Sequence, residues 1–343
     1  MFSKLTQIMS QPSIAVDLGT ANTRVYASEL GKVSENPSAI GLVNKKINTI
    51  SDEYFKFINS KIATTPLRGG VIVDLKNTIA LLRPLIKKTR RFFNHPISLA
   101  CAPTDTSEDE RDLLANALIH AGASHVSIIP EVWAAAIGAG IDITRPSAQL
   151  LIDIGDGVTD MAVFRDGRIV FTSAIRTACS DLQKAVRSAI MAKHKIQLYA
   201  QESERLTHEI LSISNQQGDQ GKLINVLGMD IVKRCEVNFL LDNQDVIHAM
   251  APVLDKIIRM IEISLKKLPE EIYCEILESG ICLTGGGACI NGLDRLIAMR
   301  TNIDVRVASD PIHAVINGAI QTLDYWKGEK NWWKNIAWPK LSS

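Results

Sequence analysis

The sequence carries almost no net charge: 38 Lys plus Arg stand against 37 Asp plus Glu in 343 residues, a formal +1. No overall field therefore draws the chain to nucleic acid or to an acidic surface, and no nucleic-acid partner is expected. Paired cysteines are also missing. The six, at 101, 179, 235, 274, 282 and 289, form no C-x-x-C and have no His at zinc spacing, which argues against a structural metal and a disulfide scaffold and leaves reduced thiols. No apolar run approaches the roughly 18 residues needed to cross a bilayer. The opening MFSKLTQIMSQP lacks the long apolar core of a secretory signal, so the expected place of the protein is inside the cell. The common nucleotide signatures are absent too: G-x-x-x-x-G-K-[ST] does not occur, and neither GDGVTD nor GAGIDI completes G-x-G-x-x-G. P-loop and Rossmann readings fall.

What is present is a globular composition, 46% apolar and 22% charged, too apolar for a disordered chain. At about 150 residues per domain the length gives two domains. SIAVD at 13–17 is a short apolar run broken at Leu18-Gly19-Thr20, and TRVYASEL at 23–30 resumes with strand composition, which reads as a hairpin. QLLIDIGDGVTDMAVF at 149–164 repeats the plan of strand, Asp, Gly turn with Thr, and returning strand, first at Asp17 and again at Asp153. Copies so far apart imply an internally duplicated fold. Helices are expected at 76–90, 107–121, 131–140, 181–192, 200–213 and 244–265, the second opened by a Ser107/Glu110 capping box. Strands alternating with helices of that length give an α/β architecture. SISNQQGDQGK at 212–222 reads as a surface loop.

The chemistry concentrates in the turns. Asp17-Leu18-Gly19-Thr20-Ala21-Asn22-Thr23 lets backbone amides approach an anion and adds Thr20, Asn22 and Thr23 as donors. Asp153-Ile154-Gly155-Asp156-Gly157-Val158-Thr159 offers the same. Facing each other across a cleft, the two turns would hold a triphosphate from both sides. Asp17 and Asp153 would each reach a hydrated Mg²⁺, a cation that prefers oxygen ligands and keeps its waters. A third cluster, Gly285-Gly286-Gly287, follows the strand-like ICL and either lets a flat ligand approach the backbone or serves as a flexible connection. One glycine turn alone is usually only a turn; the matched pair carries the reading.

DLGTANT at 17–23, DIGDGVTD at 153–160 and LTGGGACINGLDRL at 283–296 resemble the phosphate-1, phosphate-2 and adenosine motifs of the actin and heat-shock chaperone ATPase superfamily, and within it the MreB family of bacterial actin homologues. NPSAI at 36–40, PLRGGVIVD at 66–74, AGASHVSIIPEVWAAAIGAG at 121–140, LPEEIYCEILESGICLTGGG at 268–287 and DPIHAVINGA at 310–319 agree in the same order, so the resemblance runs from Ile14 to Leu323. It implies an actin-like two-lobed α/β fold with duplicated ribonuclease H-like cores and a central nucleotide cleft. The first lobe would span 13–145, with a small subdomain at 33–72 and a return segment at 310–325. The second would span 146–309 with a small subdomain at 182–240, flanked by an anchor at 1–12 and a Trp-rich tail at 326–343.

The resemblance further implies ATP and Mg²⁺ as cofactors and slow hydrolysis to ADP and phosphate. Glu131 would orient the attacking water, with Asp17 and Asp153 as catalytic carboxylates that hold the metal through its waters. Gly19, Thr20, Ala21 and Asn22 in the first turn, Gly155, Asp156, Gly157, Val158 and Thr159 in the second, Glu204, Thr207 and His208 on a helix, and Gly285, Gly286 and Gly287 would contact the nucleotide. The chain departs from the family at Val132, where Pro is usual, at Cys179, where Gly lies beside the ribose, at Thr207, where Lys is usual, and at Leu211, a small residue elsewhere. A side chain at 179 would crowd a close-approach site, so these changes bear on nucleotide affinity more than on phosphate geometry.

Two segments point to a membrane. On a helix at about 100° per residue, Phe2, Leu5, Ile8 and Met9 fall within an arc of roughly 120°, a small amphipathic anchor. Lys87 to Pro96 sets four cations beside Phe92 and Phe93, where MreB proteins have an apolar insertion loop; the alternative is a buried Phe pair. Anchors tethered in a polymer act together and multiply weak affinities by roughly 10² to 10⁴. Trp326, Trp332, Trp333 and Trp338 suit a membrane interface, a partner groove, or packing on the first lobe. The expected protein is a membrane-associated actin-like cytoskeletal ATPase that assembles with itself into filaments of paired protofilaments. It would lie on the inner face of the cell membrane with membrane-bound cell-wall elongation proteins and maintain rod shape. The alternative is an ATP-binding adaptor or assembly platform of the same fold, without long filaments, in cell division, pilus or organelle positioning.

Overall fold

The computed structural model describes residues 12–43, 46–49, 63–89, 94–214 and 222–326. The chain divides into two compact units, Met1–Asp142 with His313–Ser343, and Ile143–Ile312. Unit 1 opens with β1 (Ser13–Leu18), β2 (Asn22–Ala27) and β3 (Lys32–Pro37), followed by β4 (Ile40–Val43), β5 (Lys46–Thr49), β6 (Ala63–Thr64), β7 (Leu67–Arg68) and β8 (Val71–Ile72). It continues through α1 (Leu75–Lys87), β9 (Ile97–Ala102), α2 (Glu108–Ala121), β10 (His125–Pro130) and α3 (Glu131–Gly138). Unit 2 holds β11 (Gln149–Ile154), β12 (Thr159–Arg165), β13 (Arg168–Ile175), α4 (Cys179–His194), β14 (Ile196–Leu198), α5 (Ala200–Ser214), β15 (Leu223–Asp230) and β16 (Cys235–Asp242). Then come α6 (Asn243–Lys266), α7 (Glu270–Ser279), β17 (Ile281–Thr284), α8 (Leu293–Thr301) and β18 (Val305–Val307), before the chain returns to unit 1 in α9 (Ala314–Trp326).

The two large sheets share one plan. Their orders are β10-β9-β1-β2-β3 and β13-β12-β11-β17-β18. In each, the strand ending in the turn Asp is central, runs antiparallel to the next strand in sequence, and that strand runs antiparallel to the third. On its other side lies a parallel partner, β9 or β17, with a second parallel strand outside it. The duplication announced by Asp17 and Asp153 is thus a duplication of topology, within the α/β class expected. Smaller sheets, β5-β4-β6 and β14-β15-β16, branch from units 1 and 2 respectively.

Strand alternation decides which face each residue covers. Ile14, Val16 and Leu18 pack with Leu81, Leu82, Leu85 and Ile86 of α1 and Leu114 and Leu118 of α2. Ala15 turns the other way and joins Leu99, Cys101 and Ile129 against Ala134 of α3 and Ile316, Ala319 and Leu323 of α9. A strand covered on both faces is buried along its whole length, and all six residues of β9 are, Ser98 included. In unit 2, Leu150, Ile152, Ile154, Met161 and Val163 pack with Leu182, Val186 and Ile190 of α4 and Met250, Ile257 and Ile261 of α6.

Helix ends follow their local chemistry. Ser107 caps α2 as expected, its Oγ accepting from the Glu110 amide (3.2 Å) while Glu110 Oε2 accepts from the Ser107 amide (2.9 Å). α4 starts at Cys179, two residues before the expected 181, because the Asp181 carboxylate reaches back to the Ala178 amide (3.1 Å). α3 stops at Gly138 and not at 140, since Gly140 turns the backbone to φ 71°. α7 was not anticipated, and α5 runs to Ser214, past the start of the expected loop. The anchor residues Phe2, Leu5, Ile8 and Met9, the pair Phe92 and Phe93, and Trp332, Trp333 and Trp338 lie outside the described residues.

Candidate functional site

In unit 1 the first turn is built from hydrogen bonds that face inward. A Cβ on Gly19 would sit 2.9 Å from the Asn22 carbonyl oxygen, so only glycine fits the turn as it stands. Ser38 Oγ donates to the Gly19 carbonyl (2.6 Å) and the Ser38 amide to the Ala21 carbonyl (2.7 Å). Thr23 Oγ1 lies 2.8 Å from the same hydroxyl. Two carbonyls that would repel an anion are thereby turned onto Ser38. Thr20 Oγ1 accepts from the Gly70 amide (3.0 Å), fastening the turn to the β7–β8 hairpin.

Asp17, at the end of β1, is not a free ligand. Across the β1–β2–β3 register it faces Arg24, which faces Glu35. Arg24 Nη1 lies 3.2 Å from Asp17 Oδ2, Arg24 Nη2 lies 2.7 Å from Glu35 Oε1, and His313 Nε2 lies 3.5 Å from Glu35 Oε2. Burial pushes the Asp17 carboxyl above its ordinary range, against the pull of Arg24. Arg24 is the residue that sequence reading missed; its signal was a cation directly opposite the turn Asp once the hairpin register is drawn. Glu131, the first residue of α3, shares this neighbourhood: after burial, Asp17 and Glu131 are the charges that raise the Cys101 thiol at the end of β9.

Unit 2 repeats the device with different parts. The Gly155 amide donates to the Val158 carbonyl (2.9 Å), closing the turn, and a Cβ on Gly155 would lie 3.2 Å from that oxygen. Here the first amides of α4 take the carbonyls: Cys179 N donates to Gly155 O (3.3 Å) and Ser180 N to Asp156 O (2.9 Å). Thr159 Oγ1 donates to Thr177 O (2.8 Å). Asp153 is buried and accepts from Thr284 Oγ1 at 2.6 Å, its register partner on β17. The Asp156 carboxyl is raised by burial, opposed by Lys184 and Arg187 and reinforced by Glu204 and Asp181. Burial raises the Cys179 thiol far above its ordinary value, and the charges of Asp156, Asp153 and Cys289 add to this.

The third glycine cluster belongs to the same neighbourhood. Gly285 sits at φ +80° and its Cβ would meet the Ile154 carbonyl oxygen at 2.4 Å, while a Cβ on Gly287 would meet Ile154 Cγ2 at 2.3 Å. Gly286 faces open space. The Asn291 amide donates to His208 O (3.0 Å), tying α5 to this turn. Structure thus brings Asp153, Gly155 to Thr159, Glu204, His208 and Gly285 to Gly287 to one region of unit 2. Two sequence expectations change. Cys179 packs its side chain into the unit 2 core, so it does not stand in the approach to the turn. Thr207 is fully buried and spends its hydroxyl on Ser203 O (2.7 Å), whereas Glu204 is exposed.

Among the described residues no three His, Cys, Asp or Glu side chains gather as a metal cage. The Asp153 carboxylate, fixed by Thr284, has the oxygen chemistry of a ligand that would hold Mg²⁺ through its waters.

A family model described as MreB/Mbl protein matches residues 11–331. The cell shape-determining protein Mbl of Bacillus subtilis is 30% identical over 319 residues, covering 91% of this chain and 95% of its own. The crystal structure of MreB5 of Spiroplasma citri bound to AMPPNP superposes with a TM-score of 0.83 at 27% identity, over 92% of this chain and 98% of that one. A MamK double helical filament matches the fold at a TM-score of 0.77 and 19% identity, over 92% and 99%.

Proposed function

The chain belongs to the MreB/Mbl family of actin-like proteins, and on that premise we propose that it is a filament-forming ATPase of the bacterial cytoskeleton. It binds ATP with Mg²⁺, polymerises, and lies on the inner face of the cell membrane, where it organises cell-wall synthesis and maintains rod shape. The observation that carries the nucleotide reading is the repeated bracing of the two Asp-led glycine turns, whose carbonyls are turned inward by Ser38 in unit 1 and by the α4 amides in unit 2. An anion then meets amides and hydroxyls instead of carbonyl oxygens. MreB5 of Spiroplasma citri, with 27% of its residues shared, carries AMPPNP on the same fold.

The residues of this chain have separate tasks. Glycine turns admit the phosphates, Glu204 meets the ribose, and Glu131 at the start of α3 orients the attacking water. Bound Mg²⁺ supplies neutralisation of phosphate charge. No helix among the described residues is long and apolar enough to cross a membrane. Membrane attachment is assigned to the anchor at Phe2, Leu5, Ile8 and Met9 and to Phe92 and Phe93.

The second reading, an adaptor that binds nucleotide without long filaments, gains from the Asp17–Arg24 pair, which ties up a carboxylate the metal would otherwise use. Electron microscopy of the purified chain with ATP and Mg²⁺ on liposomes separates the two. Paired protofilaments on the lipid are expected; dispersed protein that still binds ATP would select the adaptor, and no saturable ATP binding up to millimolar would end both. Removing residues 2–9 together with Phe92→Ser and Phe93→Ser should release filaments from liposomes, and unchanged co-sedimentation would sink the membrane assignment.

A further inference from the structure

Among the described residues, one cation near the unit 2 turn makes no ion pair. Arg187 projects from α4 and is partly buried; Nη1 donates to Ser203 Oγ at 2.8 Å, and Ser203 Oγ in turn donates to Ala200 O at 2.7 Å. That hydroxyl therefore works as an acceptor that fixes the guanidinium on α5, one residue before Glu204. Among the described residues no carboxylate stands within ion-pair distance of Arg187. Its neighbour Lys184, one turn earlier on the same helix, is already committed to Asp181 at 3.4 Å.

The environment of Arg187 is costly without an anion. Desolvation lowers its affinity for the proton, and the one charge that opposes this is Asp156 of the phosphate turn. A guanidinium carries five donors in a planar fork, and a neutral hydroxyl engages one of them. A partly desolvated cation with donors to spare is stabilised most by an oxyanion that can take two of them at once. The place is specific, since the guanidinium acts on the Asp156 turn on one side and is held beside Glu204 on the other. The position on α5 that offers Thr207 supplies no charge, its hydroxyl being used within the helix.

We propose that Arg187 is a nucleotide-contacting residue of unit 2, its guanidinium held by Ser203 and taking a phosphate oxygen of the bound nucleotide beside the Asp156 turn. The inference rests on the nucleotide-binding reading above and adds to it a residue that none of the three glycine motifs contains. Ser203 acts through Arg187 as a positioning residue.

The test is displacement of a fluorescent ATP analogue from the full chain by ATP, ADP and adenosine in Mg²⁺ buffer. Arg187→Ala should raise the Kd for ATP and ADP about tenfold or more, the usual scale for a charge-assisted hydrogen bond, and leave that for adenosine unchanged. Arg187→Lys should fall between, because a point charge keeps the attraction and loses the fork. An unchanged ATP Kd in Arg187→Ala overturns the proposal. So does equal weakening for adenosine, which marks a structural role. Should Arg187→Ala not fold, Arg187→Gln, which keeps a polar amide and removes the charge, carries the same expectation. A wild-type chain without ATP binding would instead remove the nucleotide reading itself, an outcome distinct from a normal wild type with an indifferent variant.

Discussion

Gly318→Val is expected to destabilise unit 1 severely. Helices α3 and α9 cross at two Ala-x-x-x-Gly steps, Ala134 to Gly138 and Ala314 to Gly318, each glycine resting on the backbone of the other helix. A Cβ on Gly318 would lie 1.7 Å from the Ala134 carbonyl oxygen, and one on Gly138 would lie 1.9 Å from the Ala314 carbonyl oxygen. Backbone atoms cannot rotate aside as a side chain can, so the helices must separate and the packing of Ala134, Ile316 and Ala319 against the sheet is lost with them. Overpacking usually costs about 1 to 3 kcal/mol. A branched side chain against a carbonyl should exceed that, at about 4 kcal/mol or more, a large part of a typical domain's 5 to 15 kcal/mol. Thermal unfolding followed by circular dichroism, with limited proteolysis, measures it. Gly318→Ala should lie between wild type and Gly318→Val, and Gly286→Ala, which meets nothing within 4 Å, should leave the melting temperature unchanged. A Gly318→Val melting temperature within about 2 °C of wild type would mean that the crossing yields freely.

The second large loss is expected from Arg24→Met. Glu35 is partly exposed and can be hydrated when its cation goes, but Asp17 cannot, with only 7% of its side chain accessible. Removing one partner of a buried pair costs about 3 to 5 kcal/mol because the other charge is stranded. The pH dependence has a definite sign. The native Asp17 carboxyl already sits above its ordinary value through burial, so the folded state holds this proton more tightly than the unfolded state does. Stability from this group is therefore highest below the unfolded carboxyl pKa and falls as pH rises to the native one, beyond which it is flat. Loss of Arg24 raises the native value further and widens that window. Urea unfolding should show the full deficit at about pH 8 and a smaller one at about pH 5. Asp17→Asn in the Arg24→Met background should recover most of the loss, since it removes the stranded charge. A deficit that is independent of pH and merely additive with Asp17→Asn would place the importance of Arg24 outside this pair.

The same residues show how far the sequence could be read. Both turns, their Asp residues and their glycines were visible because a tight turn is written in a window of seven residues. Ser107 and Glu110 announced a helix start for the same reason, and the recurrence of the turn implied a duplicated sheet. Arg24 lies within that legible window, yet its role appears only when the β1–β2 register sets it opposite Asp17. Cys179 looked like an obstruction because a substitution at a glycine position says nothing of where its side chain goes; the fold directs it into the core. Arg187 carries no motif at all, and only the packing of α4 on α5 brings it to Ser203.

By itself, then, the sequence determined the α/β class, the two-fold repeat and the three glycine turns, all of which follow from backbone chemistry acting over a few residues. Tertiary structure alone decided that Asp17 is paired, that Gly138 and Gly318 form a backbone crossing, and that Arg187 is held on Ser203 beside Glu204. Those contacts join residues as far apart as 134 and 318 through side-chain reach and steric exclusion, which leave no periodic trace in the chain.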